Sequence, residues 1–412
     1  MKRTLLSLLF FLAAGLVTLA PPGFTQDAGQ PGQLHAYYKV VPLHGGSTGE
    51  ALSGAAIGAT IPMFSYSFTA SRDFQQQTGV MVGRSPFAHG ARTTNIKAVI
   101  IPVVFKLKNH ANTSQTITFD PTIADGTCSP HGVPLTLIQN SPIFQPVDFT
   151  MPASGGVNVG TGQYIDEFQR ANFWTNVMVT GDRFHTVLSP VSVAPTQTVT
   201  PPSTADGLGY QPAEFLNPPC RALGVVDVNF WDPSAGGVNV PGEAQTLIAN
   251  LTTAGTIDPT AFPIFVFYNV VLASGNSPFV KSCCILGYHG AQGPPVQTYS
   301  VADYETTGLF VPGEDISAMS HEIGEWMDDP LGSNIVPNWG NIGQVSGCQV
   351  PSALEVGDPL SDGHEFPVSL GGMTYHPQEL AFFSWFMGAP SLGVDGDFSN
   401  NGTFFQDAGP PC

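Results

Sequence analysis

The run 320–330 reads Ser-His-Glu-Ile-Gly-Glu-Trp-Met-Asp-Asp-Pro, and it places His321 four positions before Glu325. On a helix, such a pair shares one face at about 5–6 Å, so an imidazole and a carboxylate can grip one cation. Glu322 directly follows the histidine, where a carboxylate beside a metal-bound water serves as general base. A catalytic zinc takes three protein ligands and keeps one position for water. The third ligand must therefore arrive from elsewhere. Glu355 and Asp358 lie about 30 residues downstream, after a loop long enough to bring them back. Glu355 is the expected third ligand. Asp358 is the runner-up, either as ligand or as the acceptor that orients His321. For the developing oxyanion, His376 is the catalytic candidate, with Tyr375 and His364 as alternatives. Blander accounts stay open: a solvated helix face for His321, Glu325, Asp328 and Asp329, and an acidic turn before Pro359 for Glu355 and Asp358.

These side chains need a helix to present them. The pattern predicts one over 312–329, ended by Pro330. Ile316, Met319, Ile323, Trp326 and Met327 fall on one stripe that should pack on a sheet. His321, Glu325, Asp328 and Asp329 fall opposite, with Glu322 at the margin. The sheet should come from β-branched and aromatic runs at 96–107, 222–230, 262–272, 283–288 and 296–299, with a short strand at 36–41. Helical spacing recurs at 164–177, 242–251 and 376–387. The chain thus divides into a leader (1–26), a polar Gly/Ser-rich lead-in (27–95), a β-rich region (96–305) and the motif helix with a C-terminal metal-site region (306–412). The lead-in could be a tether or a peripheral flap.

Taken together, Ser320-His321-Glu322-x-x-Glu325, Asp329-Pro330 and Glu355-x-Gly357-Asp358 resemble a motif set of secreted bacterial zincin-like proteins. More broadly they resemble the His-Glu-x-x-His metallopeptidases. The resemblance covers roughly the last hundred residues. It implies an α+β, zincin-like fold: a mixed sheet, an active-site helix and a loop-rich C-terminal region. It also implies zinc, a peptide or protein substrate and Glu322 as the base. One departure matters. Glu325 stands where the broader family has a second histidine. Two carboxylate ligands would cancel the charge of Zn²⁺, and oxygen-rich ligands suit Ca²⁺ or Mn²⁺ as competitors. A non-catalytic extracellular binding or structural protein that keeps the metal site is therefore the rival reading.

The rest of the composition agrees with export. Lys2 and Arg3 precede an uncharged apolar run at 5–20, which Pro21, Pro22 and Gly23 close; this reads as a signal peptide. The run is too short and too poorly flanked to read as a membrane span, and no later stretch suffices. The formal charge of −18 repels phosphate backbones and argues against nucleic-acid binding. Six cysteines behind a leader suggest disulfides, with adjacent Cys283 and Cys284 expected to reach different partners. The Gly-x-Ser-x-Gly match at 45–49 lacks a following helix and reads as a loop. The acidic run at 395–402 reads as a turn.

Overall fold

The β-branched run at 96–107 forms the middle of an 18-residue strand, Arg92–Asn109. A computed structural model of the chain describes residues 37–41, 60–88, 92–124, 132–180, 183–202, 208–210, 222–235, 238, 240–274, 283–339, 352–361 and 363–406. The leader, the 45–49 match and Cys128, Cys220, Cys348 and Cys412 lie outside these residues. Strand Ala261–Tyr268 pairs in parallel with Arg92–Asn109, which pairs in parallel with Phe184–Val193. On the other side, Ala261–Tyr268 pairs in parallel with Gln297–Tyr304. Cys283–Gln292 then adds antiparallel to that strand. Tyr37–Val41 lies parallel on Cys283–Gln292. Shorter strands complete an 11-stranded sheet. The fold is mixed α+β, with one large mixed sheet and few helices.

Both faces of this sheet are buried, which explains why its central strands read as continuous apolar runs. Side chains alternate along each strand. Ile96, Ala98, Ile100, Phe262, Ile264 and Val266 join one core. Val99, Ile101, Val103, Phe265 and Phe267 join the other. Helix Glu243–Thr253 covers the second face through Leu247, Ile248 and Leu251. The motif helix covers the first. Trp326 stacks flat on Phe262 with ring centroids 3.6 Å apart, and its indole N–H donates to Thr298 Oγ1 at 3.0 Å. That contact fixes the helix against the strands.

The motif helix spans Ser317–Asp328, five residues shorter at its start than expected. Residues 312–316 turn instead: Asp315 sits in the left-handed region (φ 46°) and bridges back to Glu305. The helix at 376–387 also contracts, to Phe383–Met387. Pro377 cannot donate a helical bond, and the preceding stretch spends its backbone on neighbours. Gln378 bridges Glu365, Ala381 bridges Ser399, and the Ala381 N–H reaches Val356 O. The expectation of separate partners for Cys283 and Cys284 is overturned: the two form a disulfide with each other at the head of their strand, with Cα atoms 3.0 Å apart.

The lead-in supplies two folded pieces. Tyr37–Val41 occupies the sheet edge. The hairpin of Met63–Thr69 and Gln76–Val82 lies against the far end of the motif helix. Asn334 ties it down, accepting from Val80 N at 2.9 Å and donating to Val80 O at 2.7 Å.

Candidate metal centre

The solvated-face account fails first. Every residue of the motif helix is buried, and His321, Glu322, Asp328 and Asp329 have no exposed surface. Asp328 and Asp329 carry the helix end into the core rather than into water. Asp328 accepts from the Gln169 and Asn172 amides, on a neighbouring helix. Asp329 accepts from the Ser333 and Asn334 backbone N–H groups. These two carboxyls are thus accounted for by hydrogen bonds.

His321 and Glu325 behave differently. The His321 Nε2 lies 2.9 Å from Glu325 Oε1 and 3.7 Å from Asp358 Oδ1. Its other nitrogen, Nδ1, is 3.0 Å from Gln378 Oε1. Gln378 uses its amide N–H₂ on Gly357 O at 2.7 Å, so its Oε1 is the acceptor and Nδ1 of His321 carries the hydrogen. The lone pair on Nε2 therefore faces two carboxylate oxygens. Tyr38 stacks on this ring at 3.7 Å, and Gly357 approaches so closely that a Cβ there would sit 2.5 Å from Nδ1. The Gly357 N–H donates to Glu325 Oε1 at 3.2 Å. His321, Glu325 and Asp358 each offer a ligand atom within 4.8 Å of the others.

A second imidazole, absent from the motif, joins from the sheet. His289 on Cys283–Gln292 is fully buried. Its Nε2 lies 3.1 Å from Asp329 O, a carbonyl that only accepts, so Nε2 carries the hydrogen. Its Nδ1 then faces Glu322 Oε2 at 3.4 Å, Glu325 Oε2 at 3.6 Å and Glu355 Oε2 at 4.0 Å. Gly287 makes room for this: a Cβ there would meet Glu322 Cγ at 2.6 Å. In both histidines a carbonyl-type oxygen fixes the tautomer and the free lone pair aims at acids. Metal-binding histidines are oriented this way.

Among the described residues, four atoms in this pocket are buried without a hydrogen-bond partner: His321 Nε2, Glu322 Oε1, Glu355 Oε1 and Asp358 Oδ1. The short His321–Glu325 contact is close but not aligned as a hydrogen bond. Protons alone would have to settle such a cluster. Burial by itself would lower both imidazoles, but the hydrogen bonds and charges of Glu322 and Glu325 push His289 up to about 10. Against the same opposition, the negative charge of the adjacent Glu325 pushes His321 up to about 9. Burial pushes Glu322 up to about 7, opposed by the hydrogen bond with His289. Burial, then the charge of Glu325, drives Glu355 and Asp358 well above the usual carboxylate range. Glu325 alone moves down, because His321 and His289 outweigh its burial. A divalent cation satisfies the same lone pairs without those displaced protons, so the donor set fits a metal.

The remaining sequence candidates lie elsewhere. His376 Nδ1 pairs with Asp315 Oδ2 at 2.7 Å and Glu314 Oε1 at 3.4 Å, in a part-exposed patch at the start of the motif helix. Tyr375 donates to Leu137 O at 3.1 Å. The His364 Nδ1 sits 3.5 Å from Thr403 Oγ1. A third histidine-acid group, Asp166, Glu167 and His185, already holds a cation of its own: Arg170 bonds Glu167 Oε2 at 2.9 Å and His185 bonds Asp166 at 2.7 Å, while Glu167 Oε1 is buried without a hydrogen-bond partner among the described residues.

No family model, curated protein or solved structure matches this chain. The site must be read from its own chemistry. His289 was the residue the motif did not announce. It sits in a strand, Gly-Tyr-His-Gly, with no fixed offset from His321. The usable signal was a lone histidine between glycines in an otherwise apolar buried run.

Proposed function

We propose that the chain is a secreted metal-dependent peptidase of zincin-like type, acting on peptide or protein substrates. The observation that carries this is the buried meeting of an imidazole lone pair, from His321, with oxygens of Glu325 and Asp358 at 2.9 and 3.7 Å. These three residues would hold the cation, with Glu355 adjoining. When bound, a Zn²⁺ or Mn²⁺ supplies Lewis acidity that lowers the pKa of a coordinated water and polarises a carbonyl. Glu322 has Oε1 without a partner and stands one residue from His321, where it can take a proton from water and return it to a leaving amine. Gln378 holds His321 in the tautomer that keeps Nε2 free. Export, which the leader-like residues 1–26 predict, would agree with this reading.

One observation favours a second reading, a metal-stabilised protein without turnover. His321 and Glu322 are wholly buried, and Tyr38 lies over the His321 ring. A Glu322→Gln variant separates the two. Metal retained by His321, Glu325 and Asp358 with loss of peptide-bond cleavage supports the peptidase. If wild type and Glu322→Gln both bind metal and neither cleaves a mixed peptide library, the structural reading replaces it.

A further inference from the structure

Glu325 is placed between two histidines rather than beside one. Its Oε1 lies 2.9 Å from His321 Nε2, and its Oε2 lies 3.6 Å from His289 Nδ1. The two oxygens of one carboxylate thus face two separate lone pairs. We propose that Glu325 bridges two divalent cations, one held by His321 and Asp358, the other by His289, Glu322 and Glu355. This rests on the metal-centre reading above and extends it from one ion to two.

Three arguments support the second position. Ligand atoms around a cation at about 2.1 Å lie roughly 3–3.5 Å apart. The spacings from His289 Nδ1 to Glu322, Glu325 and Glu355, at 3.4, 3.6 and 4.0 Å, open only slightly from that range. The second argument is orphaned oxygen. Glu322 Oε1 and Glu355 Oε1 are buried and unpartnered in this same corner, so the cluster is more than a set of acids satisfying one another. The third is charge. Glu322, Glu325, Glu355 and Asp358 bring four negative charges into a pocket with two neutral imidazoles. One divalent ion leaves two of those carboxyls needing a proton each to avoid a buried, uncompensated charge. Two divalent ions balance them. Asp328 and Asp329 stand outside the count, because amide and backbone donors already serve them. The second position has one nitrogen and three carboxylates, a donor set that suits Mn²⁺ better than zinc. Glu322 would present Oε2 to that ion and keep Oε1 for the proton.

The test is stoichiometry and magnetic coupling, with Mn²⁺ and Zn²⁺ as probes on the full chain after chelation and dialysis. Wild type should take up two ions per chain, and bound Mn²⁺ should give the exchange-coupled resonance spectrum of a carboxylate-bridged pair. His289→Ala should bind one ion with a single-ion spectrum, as should His289→Gln, which keeps more of the side-chain volume. Glu325→Ala should weaken both ions at least tenfold. Saturation at one ion, unchanged by His289→Ala or His289→Gln but abolished by His321→Ala, overturns the bridge and leaves the single-metal reading standing. Two ions with no coupling also overturn it. No uptake at all removes both readings. The wild-type spectrum decides the matter even if a variant fails to fold.

Discussion

Gly357→Ala tests the centre without touching a ligand. Its backbone is in an ordinary region (φ −82°), so the added methyl brings no conformational strain. The methyl would, however, sit 2.5 Å from His321 Nδ1 and 2.6 Å from Cε1, where ordinary contact begins at 3.4 Å. The ring must retreat by about 0.9 Å, or the 355–358 turn must lift by as much. Either movement strains the 3.0 Å bond from Nδ1 to Gln378, whose amide is also held by Gly357 O at 2.7 Å. Overpacking of this kind costs about 1–3 kcal/mol, and loss of that bond at the buried Gln378 oxygen would add about 1–3 kcal/mol. With an unfolding entropy of ~2.1 cal/mol/K per residue, a 412-residue chain loses only about 1 °C of Tm per kcal/mol. Thermal stability should therefore fall by a few degrees. Cation affinity should fall much further, about 10–100-fold, as when a group orienting a ligand is removed. Titration calorimetry with Zn²⁺ and a melting curve on the chelated protein give the two numbers. A Gly357→Ala protein with Zn²⁺ affinity within twofold of wild type would show that the His321 ring is not held where the argument requires.

Three further outcomes are expected. Chelation should lower Tm: an ion present at 100 times its Kd contributes about 2.7 kcal/mol, or about 3 °C here, and an unchanged melting curve in chelator speaks against any structural ion. The chelated protein should be more stable at pH 5.5 than at pH 8. Burial raises Asp328 to about 7, and Glu305, opposed by the Thr307 hydrogen bonds, to about 7 as well. The native state therefore holds protons that the unfolded chain has already released above pH ~4, and stability declines as pH rises through 7. The raised histidines act in the same direction above their ordinary value. A Tm that climbs between those two pH values contradicts the burial of these groups. Trp326→Ala should cost about 3–5 kcal/mol by emptying the space over Phe262, read as a drop in the denaturant midpoint.

Much of the scaffold could be read from residue order. The runs at 96–107 and 262–272 are long and β-branched, with Lys97 and Lys106 their only charges; the first lies within one strand, while the second splits at Asn269 (φ 53°) into Ala261–Tyr268 and Val270–Ala273. The helical stripe of Met319, Ile323, Trp326 and Met327 likewise needed only spacing, and all four are buried. Legibility faded where tertiary contacts set the outcome. The stretch before Phe383 has the apolar content of a helix, but its backbone is spent bridging Glu365, Ser399 and Val356. Asp328 and Asp329 look like an ordinary polar helix end, and only the three-dimensional arrangement reveals Gln169, Asn172 and Asn334 beside them. Within the site, local spacing announced His321, Glu322 and Glu325 because they share one helix. Nothing local announced His289, whose approach depends on sheet register and on the missing side chain of Gly287. The order of Glu355 and Asp358 also reversed in space: Asp358 lies by His321, while Glu355 faces His289.

The strand Tyr37–Val41 has a kinetic meaning. It is the outermost described element along the edge that carries His289, and its Tyr38 ring roofs His321. An ion seated beneath cannot be exchanged by a passing water; some part of the wall must first swing open. Uptake by the folded, chelated chain then waits on that same opening. Thereafter the off-rate would clock how often that wall breathes, and say little about how tightly the ligands grip.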